Sequence, residues 1–273
     1  MKIYVGSPVY RGSEWEHQES MLALVELVRR DPGIQMERAT VRGDADIGRA
    51  RDIAATNFLE KSGADIFLTI DDDIWFAPED ALRLCKKCYN GYHVIGGLYM
   101  TRGILNTQPA ILLADNEAFT FQPDEKPLKT QFLSTGFMAM HRKVFEKMTK
   151  HPEVRYCMKA SKTPFYTFYL QKTIPWPNDE NLYLSEDWAF CQRAREMGFD
   201  IWLDPTIRLG HIGKYIYRLE DLLEAHIKPC PVRLTRDEKG QLTAEALMAD
   251  GDEALLPQYR GKGMEAVLAS KRK

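Results

Sequence analysis

The stretch Ala64-Asp65-Ile66-Phe67-Leu68-Thr69-Ile70-Asp71-Asp72-Asp73 decides the fold of this chain. Its mostly apolar first seven residues predict a buried β-strand. Three carboxylates follow at the carboxyl end of that strand, where ligands of open α/β sheets usually bind. They repel one another unless a cation lies among them, and a divalent cation with nucleotide diphosphate is the simplest occupant. For the triplet alone, a solvated acidic turn is the alternative.

Strand and helix patterns alternate over the first hundred residues. The sequence predicts strands at 2–9, 34–41 and 92–98, helices at 14–30 and 48–61, and a helix opening at Pro78. This alternation predicts a parallel sheet with right-handed crossovers, and therefore an α/β protein.

The second half of the chain is less regular. Segments 109–113 and 118–122 suggest a hairpin, and 132–141 suggests a strand. The aromatic and proline-rich segment 156–177 is typical of a packed loop or lid. A helix follows at 185–197, with Ser185 as its cap.

The composition excludes several classes of protein. The chain has 273 residues, a net charge of -2 and 28% charged residues, so no global field draws it to nucleic acid or an anionic membrane. No apolar stretch approaches the roughly 20 residues of a membrane span, and the N-terminus does not have the pattern of a signal peptide. Five scattered cysteines fit a reducing compartment. We therefore expect a cytoplasmic enzyme with no transmembrane segment.

Three further motifs carry groups suited to chemistry, and each also has an ordinary structural explanation. Arginines at a helix start can hold pyrophosphate or the carboxylates of a metal site, but they are usually solvated. Two acids in a first helical turn can act in catalysis or simply complement the helix dipole. A histidine between glycines can meet a ligand closely, although a lone histidine is usually structural. These motifs are Gly48-Arg49-Ala50-Arg51-Asp52, Ser185-Glu186-Asp187-Trp188 and Gly210-His211-Ile212-Gly213.

Taken together, the motifs resemble those of nucleotide-sugar glycosyltransferases of the GT-A fold, family 2-like. The resemblance covers about 2–217 and also includes Ser7-Pro8 after the first strand and Ser134-Thr135-Gly136-Phe137. It implies a Rossmann-like α/β fold with a mixed, mostly parallel central sheet flanked by helices. We expect a catalytic domain at 1–228 and a C-terminal extension at 229–273.

The resemblance implies a D-x-D motif at the acid triplet. Asp73, His211 and Asp71 would bind Mn²⁺ or Mg²⁺, and Asp71 would also contact ribose or uracil. The donor would be a UDP- or GDP-sugar. The other residues implied in donor binding are Ser7, Pro8, Val9, Arg51 and Asp72.

The resemblance also implies roles on the acceptor side. In inverting members, the acid matching Asp187 deprotonates the acceptor hydroxyl, whereas in retaining members it positions substrate. Glu186 would bind donor or acceptor hydroxyls. The residues implied under or around the sugars are Gly136, Phe137, Trp176 and Trp188, although core packing is the ordinary role of any single aromatic residue.

Two other functions compete with this interpretation. A nucleotidyltransferase also uses acidic metal ligands, but its glycine-rich basic loop is not matched by Ser7-Pro8-Val9-Tyr10-Arg11-Gly12. A catalytically inactive protein that binds nucleotide-sugar or glycan is the second. The acceptor is left open among a glycan, a protein, a lipid-linked sugar and modified DNA, and the sequence leaves the oligomeric state open too.

Overall fold

The computed structural model of the chain describes residues 1–102, 111–112, 118–121, 126–177, 180–213, 216–218, 232–236 and 242–246. The helices are α1 (Trp15–Arg29), α2 (Ile47–Asn57), α3 (Pro78–Tyr89), α4 (Arg142–Met148) and α5 (Glu186–Glu196), and a π-helix covers Phe58–Ser62. The strands are β1 (Lys2–Val9), β2 (Gln35–Arg42), β3 (Ile66–Ile70), β4 (Ile74–Trp75), β5 (Val94–Gly96), β6 (Ile111–Leu112), β7 (Ala118–Phe121), β8 (Leu128–Thr130), β9 (Phe132–Leu133), β10 (Phe137–His141), β11 (Tyr156–Cys157), β12 (Phe165–Tyr166), β13 (Lys172–Trp176), β14 (Glu180–Leu184), β15 (Ile201–Leu203), β16 (Gly210–Ile212), β17 (Ile216–Tyr217), β18 (Val232–Arg236) and β19 (Leu242–Ala246).

A seven-stranded sheet forms the centre of the molecule, in the order β2-β1-β3-β10-β5-β15-β8. The pairs β2–β1, β1–β3 and β5–β15 are parallel, whereas β10 and β8 run antiparallel to their neighbours. Most strands therefore share one direction. The predicted fold class is confirmed: an α/β protein with a mixed, mostly parallel sheet, consistent with a GT-A-like fold.

Helices cover both faces of this sheet. Successive side chains of a strand point to opposite faces. In β3, Phe67 joins the apolar cluster beneath α2, α4 and α5, while Leu68 and Ile70 join the cluster beneath α1 and α3. Burial on both faces explains why the strand is a continuous apolar run and does not alternate with polar residues.

Two predictions for the middle of the chain are wrong. In the described residues of the expected hairpin, 111–112 and 118–121, β6 pairs with β9 and β7 pairs with β18, and the two strands do not pair with each other. The expected strand at 132–141 is divided into β9 and β10 by a turn at Thr135-Gly136. In both places the partner strand is distant in sequence, so the local turn signals did not reveal it.

The segment expected to be an irregular loop, 156–177, contains the antiparallel pair β11–β12 and also β13, whose antiparallel partner β14 follows the segment. Between them, Phe168 and Tyr169 are fully buried in the core. The side chain of Tyr169 stacks on Phe190 of α5. These two aromatic residues therefore have the ordinary packing role.

The described strands of the expected C-terminal extension, β18 and β19, form a three-stranded sheet with β7. Its remaining residues lie outside the part of the chain that the structure describes. Among the described helices, none combines the length and apolar character that crossing a membrane requires.

Candidate functional site

The acid triplet lies at the carboxyl end of β3, as predicted. The backbone N–H of Asp71 donates to the carbonyl of Gly136, and the chain then turns into β4. Strand β4 pairs with β16, which places His211 opposite Ile74, and Ile212 N donates to the carbonyl of Asp73 at 2.7 Å. This pairing brings the predicted histidine beside the predicted metal carboxylate.

Asp73 and His211 form a pair suited to a divalent cation. Asp73 Oδ2 lies 3.5 Å from His211 Nε2, and ligands of one ion at about 2.1 Å lie about 3 Å apart. His211 Nδ1 lies 2.6 Å from the carbonyl of Met100. With a metal in place of the proton on Nε2, the proton on Nδ1 would donate to that carbonyl and the Nε2 lone pair would face the ion beside Asp73, as in histidine ligands of metals. The donor set therefore fits Mn²⁺ or Mg²⁺.

Charge around Asp73 favours its ionised form. Burial opposes ionisation, but His211 and Arg102 outweigh burial and lower the pKa of Asp73. Arg102 Nη1 lies 3.0 Å from Asp73 Oδ2. No sequence motif includes Arg102; the only signal for it is its position shortly after a buried strand, at the ligand-binding edge of the sheet.

Arg51 lies at the centre of a second acidic group. Its side chain is 2% exposed, and Nη2 donates to both oxygens of Asp71 at 2.9 and 2.8 Å. Nη1 donates to Glu186 Oε1 at 2.7 Å and to Asp187 Oδ1 at 2.8 Å. Of the two partners expected for Arg51, pyrophosphate or acidic ligands, the described contacts are with acidic ligands.

One guanidinium faces three carboxylates here. Burial raises the pKa of Asp71, with Arg51 opposing and Asp187 and Asp73 adding to the rise. Burial and Asp187 likewise raise the pKa of Glu186. Burial opposes the charge of Arg51, but the carboxylates outweigh it and hold its pKa well above the ordinary value. The excess of negative charge is what a site for cations requires.

Asp187 is oriented by two donors on one oxygen. Its Oδ1 accepts hydrogen bonds from Arg51 and from the hydroxyl of Thr135. Within the described part of the chain, Oδ2 accepts none. Asp187 thus combines a fixed position with a free basic oxygen. Ser185 is the N-cap residue of α5, as predicted, although its side chain makes no capping hydrogen bond.

Gly136 is a position where a side chain does not fit. A Cβ there would lie 2.5 Å from Tyr99 Oη and 2.7 Å from Asp71 Oδ2. The backbone N–H of Gly136 donates to that same tyrosine hydroxyl. The side chain of the next residue, Phe137, is fully buried against Phe76, so Phe137 can offer a ligand its backbone only.

The remaining predicted residues lie around this centre. Ser7, Pro8 and Val9 are buried at the end of β1, and Ser7 Oγ has no hydrogen-bond partner among the described residues. Asp72 is half-buried beside Asp71 and Asp73; burial and these two neighbours raise the pKa of its carboxyl to about 6.

The two tryptophans differ in their surroundings. Trp188 stacks on Phe132 with a centroid distance of 5.2 Å and packs against the core. Trp176 is half-buried at the end of β13, opposite Glu180. Their predicted contact with sugar stays a prediction.

A separate acidic cluster contains His151, Glu153 and Glu196. Lys172 contacts both glutamates, and Arg193 Nη2 lies 3.2 Å from Glu153. These cations already neutralise the carboxylates, so this cluster is a poorer candidate for a metal than Asp73 and His211.

No protein-family model matches the sequence, and no curated protein matches it. Among solved structures, A197 from STIV has a TM-score of 0.49 and 16% identity, over 95% of this chain and 100% of that one. S. aureus TarS 1-349 in complex with UDP-GlcNAc has a TM-score of 0.40 and 13% identity, over 76% of this chain and 56% of that one. At TM-scores below 0.5, these likenesses carry no conclusion about what this chain does.

Proposed function

We propose that this protein is a metal-dependent glycosyltransferase that moves a sugar from a nucleotide-diphosphate sugar to an acceptor hydroxyl with inversion. The observation that supports it is a convergence at one edge of the sheet. Two acidic motifs, one buried arginine and one histidine meet there from distant parts of the sequence: Arg51, Asp71, Asp73, Glu186, Asp187 and His211.

In this proposal Asp73 and His211 hold Mn²⁺ or Mg²⁺ beside the donor diphosphate. A bound divalent cation supplies Lewis-acid stabilisation of the charge that develops on the leaving diphosphate. Met100 keeps His211 in the tautomer that ligation requires. Ser7 Oγ, which is buried without a described partner, supports placing the nucleotide base at the end of β1.

Asp187 is the general base of the proposed reaction. Arg51 and Thr135 hold Oδ1, so Oδ2 is the oxygen that takes the proton of the acceptor hydroxyl. An aspartate is a weak base, and its effect depends on this fixed position and on a proton that becomes acidic late in the reaction. Glu186, held by the same arginine, binds hydroxyls of the donor or acceptor.

Calorimetric titration with UDP and GDP, each with and without Mn²⁺, tests the proposal. We expect one nucleotide to bind, and to bind only with the metal. Asp73→Ala should abolish this metal-dependent binding. Glu153→Gln, in the separate acidic cluster, is the matched control and should bind as the unmodified protein does. Intact metal-dependent binding in Asp73→Ala would show that the metal assignment is wrong, and no binding by the unmodified protein would overturn the proposed function.

A further inference from the structure

We propose that Arg102 binds the donor diphosphate and that, before the metal and donor arrive, it serves as the counter-ion of Asp73. This inference rests on the proposed function and adds to it a residue that the sequence motifs do not include. Arg102 then competes with the metal for Asp73 and binds the diphosphate of the donor substrate.

Arg102 contacts Asp73, the carboxylate proposed to bind the metal. Arg102 Nη1 lies 3.0 Å from Asp73 Oδ2, the same oxygen that faces His211 Nε2. Arg102 Nη1 also lies 3.3 Å from the carbonyl of Ile212. A divalent cation bound by Asp73 and His211 would take that oxygen, and two cations do not share it without repulsion. Arg102 and the metal therefore compete for Asp73.

The side chain of Arg102 is far more exposed to solvent than that of Arg51. The side chain of Arg102 is 49% exposed, whereas that of Arg51 is 2% exposed. Arg51 is fixed by three carboxylates and has no freedom to move toward a substrate. Arg102 is half-exposed, and Asp73 is its one carboxylate partner among the described residues.

The neighbouring backbone leaves room for this side chain. A Cβ at Gly213 would lie 3.1 Å from Arg102 Cδ, tighter than ordinary packing. The second glycine of the Gly210-His211-Ile212-Gly213 motif thus borders the arginine. Gly210, by contrast, makes room for Ile216 and Trp75. The motif therefore places the histidine and accommodates Arg102 at once.

A diphosphate is the ligand that suits a released guanidinium here. Arginine binds phosphate oxygens through paired N–H donors, and such charge-assisted bonds are stronger than neutral ones. The proposed metal site already places the donor diphosphate next to Asp73. Arg102 exchanges a carboxylate partner for a phosphate partner without leaving the site.

Two binding measurements on Arg102→Ala test the exchange. The affinity for Mn²⁺ alone is measured by the electron paramagnetic resonance signal of free Mn²⁺. The affinity for the nucleotide diphosphate that binds, UDP or GDP, is measured by calorimetry at saturating Mn²⁺. We expect Mn²⁺ alone to bind roughly two- to fivefold more tightly, because a half-exposed ion pair has been removed. We expect the nucleotide to bind roughly tenfold more weakly, because a charged hydrogen bond is lost.

Two further variants are compared with Arg102→Ala in the same two measurements. Arg102→Lys keeps the charge and should lie between the unmodified protein and Arg102→Ala in both measurements. Arg30→Ala is the control, since Arg30 pairs with Glu26 at the C-terminal end of α1 and its loss should change neither affinity.

Arg102→Ala should strengthen Mn²⁺ binding and weaken nucleotide binding. A merely structural role would not change these two affinities in opposite directions. If Arg102→Ala weakens both affinities, or changes neither, the inference is wrong while the proposed function stands. If the unmodified protein binds no nucleotide with Mn²⁺, the proposed function itself fails, and this inference falls with it.

Discussion

The guanidinium of Arg51 donates from a single nitrogen to both carboxylate oxygens of Asp71, at 2.9 and 2.8 Å. Its other terminal nitrogen binds Glu186 and Asp187. One buried side chain of α2 thus ties the acid triplet after β3 to the acid pair that opens α5. The position of the proposed base is set by the same arginine that neutralises the donor side of the site.

Replacement of Arg51 by methionine should destabilise the fold in a pH-dependent way. It leaves three mostly buried carboxylates without their cation, a change that costs about 3–5 kcal/mol near pH 7. Without Arg51, the folded-state pKa values of Asp71 and Glu186 rise further above their unfolded values. The native state then holds more protons than the unfolded state, so stability recovers as the pH falls toward 5. Urea unfolding at several pH values measures this.

Arg142→Met is the matched control for that experiment. Arg142 donates to the carbonyls of Phe58, Leu59 and Ala64 and to no carboxylate among its described contacts. Its loss should destabilise the protein to a similar extent at every pH. If the Arg51 variant loses the same free energy of unfolding at every pH, Arg51 does not act by stabilising the three carboxylates.

Asp187→Asn should stop turnover while leaving donor binding intact. The amide keeps an oxygen for Arg51 and Thr135 but has no basic atom for the acceptor proton. General-base catalysis contributes roughly 10²–10⁴-fold, and we expect kcat to fall by about that factor. The rate of nucleotide diphosphate release measures kcat, and calorimetry measures donor affinity. A variant with normal turnover would remove Asp187 from the role of base.

Thr135→Val should lower kcat by a smaller factor, about tenfold, because Asp187 loses one of the two donors that orient it. Thr69→Val makes the same chemical change at a fully buried hydroxyl that has no hydrogen-bond partner among the described residues. It should leave kcat unchanged. If both variants lose activity alike, the Thr135 hydroxyl has no specific effect on the base.

Gly136→Ala should destabilise the protein by about 1–3 kcal/mol, as overpacking of a filled site does. The new Cβ would press on Tyr99 Oη, whose side chain is buried, and on Asp71 Oδ2, which Arg51 binds. Gly12→Ala is the control, because no atom lies within 4 Å of a Cβ there. Thermal unfolding of both variants measures the difference. Equal midpoints would show that the turn relaxes without cost.

Asp52→Asn should make stability less dependent on pH. Asp52 lies on α2 and accepts a backbone hydrogen bond from Tyr169, and burial raises its pKa to about 8. Between the unfolded value near 4 and about 8, the native carboxyl holds a proton that the unfolded chain has lost. The unmodified protein therefore loses about 1.4 kcal/mol per pH unit from this group as the pH rises through that window. The asparagine variant should not show this loss.

Thr56→Val is the control for this prediction. The buried hydroxyl of Thr56, on the same helix, also accepts a backbone N–H, from Tyr166, and it carries no titrating group. Its variant should keep the slope of stability against pH that the unmodified protein has. Unfolding by urea between pH 5 and 8 compares the three proteins. An unchanged slope in Asp52→Asn would place the titrating group elsewhere.

The sequence predicted those parts of the fold that depend on local patterns. The continuous apolar run of β3 indicated a strand buried on both faces, and the spacing of Met21, Leu24 and Val28 indicated α1. The prediction failed where strands pair with distant partners, as for β6 and β7. Local turn residues do not specify which remote strand completes a ladder.

The sequence by itself determined the α/β alternation and the position of the acids at the ends of elements, because hydrophobic periodicity and strand termini are properties of neighbouring residues. Only the tertiary structure decided that Arg51 is buried among Asp71, Glu186 and Asp187, that His211 faces Asp73, and that Arg102 covers that carboxylate. These contacts depend on sheet order and on the pairing of β4 with β16. Such pairings are selected by packing of the whole chain, where burial of a charge requires its partner.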